Sequence, residues 1–392
     1  MHPLTHTRPK AMLQVAGKPL VYHVLSNLKK AGIASAVVIV KYEKELIEEY
    51  LKENSPIPVE FAVQGEKQGT GAALLAAKEK MNEDFLATAG DIIADPEIYK
   101  KVLEEHKGGK TVALKEVSDP SRYGVAEVHD GVITGFEEKS ESPKSNLANT
   151  SVYCFNPSIF NELEATGPSP RGEYELPSVF KGAKAVPTEK FWMDVGYPWH
   201  LFDLNDYLLS SMESSVERVE NSTINGKLIM EKGAVVFDSY VEGMAYISAD
   251  SKIGPHAFLR GNNSVGRGCE IGESTTLKNS ILFDRVKAKH LAYIGDSVIG
   301  EGVNFGAGMQ VANFRFDEQY INVLTDKGWV NSGRKKLGAI VGDGAKFGVL
   351  SCTMPGKLIG KECWIGSGVV VTRNLASSTR LFQRHDYITR GE

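Results

Sequence analysis

The chain has 392 residues, 42% of them hydrophobic and 24% charged, which describes an ordinary globular protein of two domains or three. A net charge of −4 argues against a dedicated nucleic-acid binder. The four scattered cysteines form no disulfide framework, and no apolar run approaches the roughly 20 residues a membrane span needs. With no signal-peptide pattern, a cytoplasmic location is expected, with no membrane partner. Glycine is the outlier, at 39 residues.

The first half reads as α/β. Residues 19–32 have helical spacing of apolar positions, with Gly32 placed to end the helix. Ala36-Val37-Val38-Ile39-Val40 is a β-branched run suited to a buried strand. Residues 59–63, 85–89, 111–115 and 124–128 are further strand candidates, and 72–80 reads as a helix. Strands alternating with helices predict a mostly parallel sheet flanked by helices. Residues 198–212 carry apolar positions at helical spacing and lead out of this domain.

In the second half the apolar residues recur every six positions: Val235, Val241, Ile247, Ile253, Leu259, Val265, Ile271, Leu277 and Phe283. A shifted frame follows at Ile294, Ile299, Phe305 and Val311, and a third at Val341, Phe347, Thr353, Ile359, Ile365 and Val371. Neither a helix nor a simple strand has this period. It is the hexapeptide repeat of a parallel β-helix, each hexad forming one flat side of a triangular coil. Glycines such as Gly254, Gly266 and Gly272 are expected to help the chain turn the corners. The expected domains are 1–220 and 221–392.

Pro3 to Leu13, Ala16-Gly17-Lys18-Pro19, Gln68-Gly69-Thr70-Gly71, Gly90-Asp91, Glu137-Glu138-Lys139, Asn149-Thr150 and Trp192-Met193-Asp194-Val195-Gly196 occur in the order found in sugar-1-phosphate nucleotidylyltransferases. Over about 200 positions the chain resembles that family, whose members join a sugar-1-phosphate to a nucleoside triphosphate and release pyrophosphate. The resemblance implies a Rossmann-like nucleotidyltransferase domain. Two polyanions must meet, so cations are required. Lys10 then neutralises phosphate near the nucleotide. Gln64, Gly69 and Thr70 bind the nucleotide and its base. Gly124, Glu138 and Asn149 hold the sugar. Asp91 and Asp194 share one Mg²⁺, although a helix N-cap is a competing role for Asp91. The family opens on a strand and a GxGTRxxP phosphate loop, and this sequence begins at Met1-His2-Pro3-Leu4-Thr5, the tail of that loop. Either the reading frame starts at an internal methionine, with the protein longer by roughly 15 to 20 residues, or the nucleotidyl site is lost. The first is favoured, because the later motifs are intact. The literal sequence is expected to have little nucleotidylyltransferase activity.

Lys287-Ala288-Lys289-His290-Leu291-Ala292-Tyr293-Ile294-Gly295-Asp296, then Asn304 and Asn313-Phe314, resemble the acetyltransferase half of the bifunctional enzymes that make UDP-N-acetylglucosamine. That half is a left-handed parallel β-helix, typically trimeric. The resemblance makes His290 the base that deprotonates the glucosamine amine before it attacks acetyl-CoA. Tyr293 and Asn304 hold the sugar phosphate and amine, and Asn313 orients the acceptor or polarises the carbonyl. Arg260 and Lys278 bind the sugar phosphate, unless they are solvated edge charges. Thr276 and Phe314 stand where bacterial members carry glutamate and tyrosine. Arg334, Lys335 and Lys336 end a charged loop and are expected to meet CoA phosphates. The leading reading is therefore a bifunctional, homotrimeric enzyme using UTP, acetyl-CoA and Mg²⁺. The alternatives are a glucose-1-phosphate thymidylyl- or uridylyltransferase, or a mannose-1-phosphate guanylyltransferase, with a purely structural β-helix, and a non-catalytic regulatory subunit.

Overall fold

The computed structural model describes residues 1–169 and 172–384. By packing, the chain divides into Pro19–Asp194 and a second unit made of Met1–Lys18 with Val195–Glu392. No helix among the described residues is long and apolar enough to cross a membrane.

In Pro19–Asp194, helix Leu20–Lys30 ends on two lysines that complement its negative pole. Gly32 follows it with φ +92°, a conformation open to glycine. Helix Pro96–Glu105 starts on the Asp95 carboxylate, which accepts from the Glu97 N–H, and buries Ile98, Tyr99 and Val102 on one face. The segment expected as one helix over 72–80 is instead Thr70–Leu75 followed by a 3₁₀ turn at Lys78–Lys80.

The sheet departs from the parallel expectation. Six strands lie in the order Phe85–Thr88, Leu147–Phe155, Lys110–Glu116, Lys184–Thr188, Val132–Glu138 and Gly124–His129. Only Lys184–Thr188 and Lys110–Glu116 run parallel to each other. Only one antiparallel pair is local: Gly124–His129 and Val132–Glu138 form a hairpin, which reverses the chain without the crossover that a parallel pair needs, whereas Leu147–Phe155 meets antiparallel partners distant in sequence. Ala36–Val40 and Val59–Val63 form a separate parallel pair. A short antiparallel ribbon, Ile92–Ala94 with Trp192–Asp194, completes the unit.

The second unit is a parallel β-helix. Val241 stacks in register on Leu259, then Leu277, Ile294, Val311, Thr353 and Val371. These side chains form one dry column in its core. A nine-stranded parallel sheet makes another side. The hexads hold with two one-residue corrections: Val236 and Leu282, not Val235 and Phe283, join the core column. Phe283 is buried elsewhere, under the Arg8 guanidinium, 5.2 Å from its ring centre. The frame shifts because the coils shorten: the side from Leu277 to Leu282 has five residues rather than six. Gly266 and Gly272 are needed for space rather than for turning. A Cβ on Gly266 would fall 2.5 Å from the Phe283 carbonyl carbon of the next coil.

Packing does not follow the boundary expected at 220. Met1–Lys18 lies along the β-helix because its polar groups answer charges there. Arg8, nearly buried, reaches Glu301 at 2.8 Å and Asp343 at 2.6 Å. Helix His200–Ser211 joins the same unit: Asn205 accepts from the Ser264 hydroxyl at 2.6 Å. Lys18 meets Glu231 at 2.6 Å, and Tyr246 donates to the same carboxylate. Burial pushes the Glu231 carboxyl up, but donation from Lys18, the Ala249 N–H and Tyr246 outweighs it and holds the group below its ordinary value.

A carboxyl depressed in the folded state adds stability above its unfolded value, about 4.3, and loses it as pH falls through the folded value. Glu231→Gln is therefore expected to lower the thermal midpoint at pH 7, by a loss of about 1–3 kcal/mol. The deficit should shrink on approaching about pH 3. An equal deficit at both pH values would show that the charge is not what Lys18 and Tyr246 hold.

Candidate functional site

In Pro19–Asp194, ribbon register sets the carboxylates. Asp194 pairs with Ile92, the residue directly after Asp91. Both acids therefore stand at one end of the ribbon. Asp91 starts no helix; the N-cap in that stretch is Asp95. The ribbon is braced by Trp192, whose indole N–H donates to the Thr150 carbonyl at 2.8 Å and whose ring lies 5.4 Å from that of Tyr123. Burial pushes the Tyr123 hydroxyl above its ordinary range; Arg122 opposes this and Asp194 adds to it. Among the described residues no group of three or more His, Cys, Asp or Glu could hold a metal. Two hard oxygen donors at one ribbon end do fit a Mg²⁺ that takes its other ligands from phosphates and water. They do not fit an all-protein cage.

Asn149 is fixed by a bulge in its strand. Its side-chain Oδ1 accepts from the Ser151 N–H at 3.0 Å, its Nδ2 donates to the Tyr153 hydroxyl at 2.9 Å, and Ser151 has φ +58°. Gly124 pairs in register with Glu138, and a Cβ there would come 2.6 Å from the Glu138 carboxylate. Glu138 also lines a cleft of about 320 Å³ with Phe136, Ser169 and Glu175. Gln64 donates to the Lys67 carbonyl at 2.9 Å and Thr70 accepts from the Leu176 N–H at 3.1 Å. Gly69 has φ +101° and lies against the Tyr174 backbone. These three residues form one loop clamp. Lys10 belongs to the other unit, so the fold of Pro19–Asp194 does not itself supply it.

On the β-helix, His290 sits at the corner between strands Lys287–Ala288 and Tyr293–Gly295. Its Nδ1 lies 2.6 Å from the Glu273 carboxylate. Along the next side, the Tyr293 hydroxyl accepts from the Asn313 amide at 3.1 Å. Asn313 also donates to Asp296, a buried carboxylate that takes Lys278 Nζ at 3.0 Å and Asn279 Nδ2 at 3.3 Å. Lys278 thus has its charge answered inside the protein. Arg260, stacked on Lys278 one coil earlier, is exposed. Thr276 stacks directly on Tyr293. Asn304 is exposed on the nine-stranded sheet, in register with Lys287 and Lys346.

Sequence reasoning named neither Glu273 nor Asp296 as a site residue. The signal for Glu273 is its spacing: it lies 17 residues before His290, which is one coil in this stretch. The signal for Asp296 is an acid in a stretch of inward-facing positions, where burial demands partners. The basic loop end is not uniformly available. Arg334 pairs with Asp203 at 2.9 Å and lies over the Phe202 ring, Lys336 lies over Phe314, and Lys335 is exposed.

The nucleotidyl transferase family matches residues 1–211, and the GMPPB C-terminal domain family matches residues 241–347. A relative named bifunctional protein GlmU, from Methanocaldococcus jannaschii, is 37% identical over 100% of this chain and 96% of its own length. A bifunctional sugar-1-phosphate nucleotidylyltransferase/acetyltransferase from Sulfurisphaera tokodaii is 37% identical over 96% of this chain and 95% of its own. Among solved structures, a putative glucose-1-phosphate thymidylyltransferase from Bacillus anthracis, in complex with sucrose, aligns with TM-score 0.50 and 26% identity. It covers 55% of this chain and 92% of that one.

The Asp296 hub predicts a specific weakness. Asp296→Asn leaves the Lys278 ammonium without its charge partner and turns an amide toward that of Asn313. The expected cost is about 1–3 kcal/mol in β-helix stability, read as a fall in thermal midpoint. An unchanged midpoint would remove the hub from the account.

Proposed function

We propose that this chain, which belongs to the family of bifunctional GlmU proteins, makes UDP-N-acetylglucosamine by two transfers at two sites. On the β-helix, glucosamine-1-phosphate is N-acetylated by acetyl-CoA. On Pro19–Asp194, the sugar-1-phosphate then takes a uridylyl group from UTP and pyrophosphate leaves.

The observation that carries the reading is a set of polar groups on consecutive coils: Lys278 and Asn313 meet at Asp296, Asn313 also reaches Tyr293, and His290 stands at the corner just before Tyr293. A purely structural β-helix can use the Lys278–Asp296–Asn313 links, but it has no need of His290 at this corner. The amine enters as an ammonium and must lose a proton. His290 Nε2 takes it, the nitrogen attacks the thioester carbon, an N–C bond forms, and the C–S bond breaks as a second proton leaves the nitrogen for water. The proton on His290 then passes to the departing sulfur and CoA leaves as a thiol. Asn313, aimed by Tyr293 and Asp296, orients the acceptor. Arg260 and Lys278 attract the sugar phosphate, with Arg260 the freer charge. Lys335 and Lys336 are the exposed cations at the CoA-contacting end of the loop, whereas Arg334 has to leave Asp203 to join them.

In the nucleotidyl unit, Asp91 and Asp194 hold the Mg²⁺, which supplies charge neutralisation on the phosphates. The loop clamp of Gln64, Gly69 and Thr70 receives the nucleotide. Glu138 and Asn149 accept the sugar hydroxyls beside Gly124. Asn304 stands on a different sheet from Tyr293 and Lys278. This supports acetyl-transfer sites completed between copies in a homotrimer. A cytoplasmic location belongs to the same reading.

The test is release of free thiol from acetyl-CoA in the presence of glucosamine-1-phosphate. Wild type is expected to release thiol, and His290→Ala to lose about 10²–10⁴-fold in rate. Replacing Arg334, Lys335 and Lys336 together with alanine is expected to raise the KM for acetyl-CoA, and an unchanged KM would remove them from that role. No thiol release by the wild type would leave the β-helix as a scaffold for a simple nucleotide-sugar pyrophosphorylase.

A further inference from the structure

The Glu273 carboxylate has no role in the mechanism above, yet it makes the closest polar contact to the proposed base, 2.6 Å from His290 Nδ1. The two residues occupy equivalent corner positions on adjacent coils, and the Leu291 N–H donates to the Glu273 carbonyl at 2.9 Å. The corner backbone is unusual at this coil. Leu291, Gly308, Leu350 and Gly368 each take one left-handed turn residue, with φ between +52° and +71°. Here Glu273, at φ +40°, precedes Ser274, at φ +63°, giving two left-handed non-glycine residues in succession. Non-glycine residues resist that conformation, and its concentration at functional positions is a general pattern.

We propose that Glu273 is the positioning residue of the acetyl-transfer site: it fixes the His290 proton on Nδ1 and leaves the Nε2 lone pair facing the sugar amine. This rests on the acetyltransferase reading given above. The chemistry is that of any carboxylate–imidazole pair. A carboxylate only accepts hydrogen bonds, so the nitrogen that faces it carries the proton. The opposite nitrogen is then free to take the ammonium proton. The carboxylate also stabilises the imidazolium that forms when it does so, and it holds the ring plane against rotation. Glu273 touches neither sugar nor CoA in this scheme, so its loss should act on turnover and spare binding.

The full-length protein serves for the test, as wild type, Glu273→Ala, Glu273→Asp and His290→Ala. The first readout is steady-state acetyl transfer to glucosamine-1-phosphate. The second is ¹⁵N NMR of the imidazoles, with the His290 signals assigned by their loss in His290→Ala. Glu273→Ala is expected to lower kcat by about 10- to 100-fold with KM for both substrates within about twofold. Glu273→Asp should recover part of that loss. In the spectrum, the neutral ring should carry its proton on Nδ1 in the wild type and shift toward Nε2–H in Glu273→Ala. Wild-type kcat and an unchanged tautomer in Glu273→Ala, with His290→Ala inactive, would overturn the role of Glu273 and leave the acetyltransferase reading standing. Wild-type and His290→Ala rates that are indistinguishable would remove that reading, and Glu273's role with it.

Discussion

Each side chain of the proposed β-helix site is placed by one constraint: a strand hydrogen-bonds in parallel register to the strand one coil further on. Leu277 lies on Leu259, and Ile294 on Leu277. Once the inward residue of a side is set, its neighbours on the strand must face outward. Tyr293 then stacks on Thr276, and Lys287 on Glu270 and beneath Asn304. Coil length decides which outward residues become neighbours. Where a coil shortens from 18 residues to 17, Glu273 and His290 meet at a corner, and Lys278 and Asn313 converge on Asp296 from either side.

Burial of charge is the second constraint. Arg8, Lys278, Asp296 and Glu231 are each largely withdrawn from water, and each has an opposite charge within about 3 Å. Such pairs are retained because removing one partner strands the other. They also tie distant parts of the chain to the β-helix: Arg8 and Lys18 bring the first 18 residues to it, and Arg334 anchors its long loop to Asp203 of helix His200–Ser211. In the nucleotidyl unit backbone pairing replaces coil stacking as the organiser. There the ribbon of Ile92–Ala94 with Trp192–Asp194 aligns the two acids, and the bulge at Asn149 turns that amide.

The β-helix was legible in the sequence because one inward apolar residue per side leaves a six-residue period. The period misplaces a position where a side has five residues, hence Leu282 in place of Phe283. Helix Leu20–Lys30 and strand Ala36–Val40 were legible from local pattern. The parallel sheet was not borne out, because strand direction depends on partners far away in sequence: Leu147–Phe155 pairs with strands more than 30 residues off. Motifs led to Asp91 and Asp194, which the ribbon then brought together. Glu273 lies outside the motifs read as chemistry and Asp296 closes one of them without a role assigned to it, and only the coil geometry shows what they touch. Arg334 is the converse case: its charge was plain in the sequence and its partner Asp203 was not.

The central claim is that two independent sites share this chain. It is tested most directly by assaying both reactions on the same preparations of wild type, His290→Ala and the Asp91→Asn, Asp194→Asn double variant, each made with the family's strand and GxGTRxxP loop placed ahead of Met1. The reactions are CoA release with glucosamine-1-phosphate and Mg²⁺-dependent pyrophosphate release from UTP with N-acetylglucosamine-1-phosphate. The account predicts that His290→Ala loses the first reaction and keeps the second, while the aspartate variant shows the reverse. Loss of both reactions in either variant, with the fold intact, would contradict it.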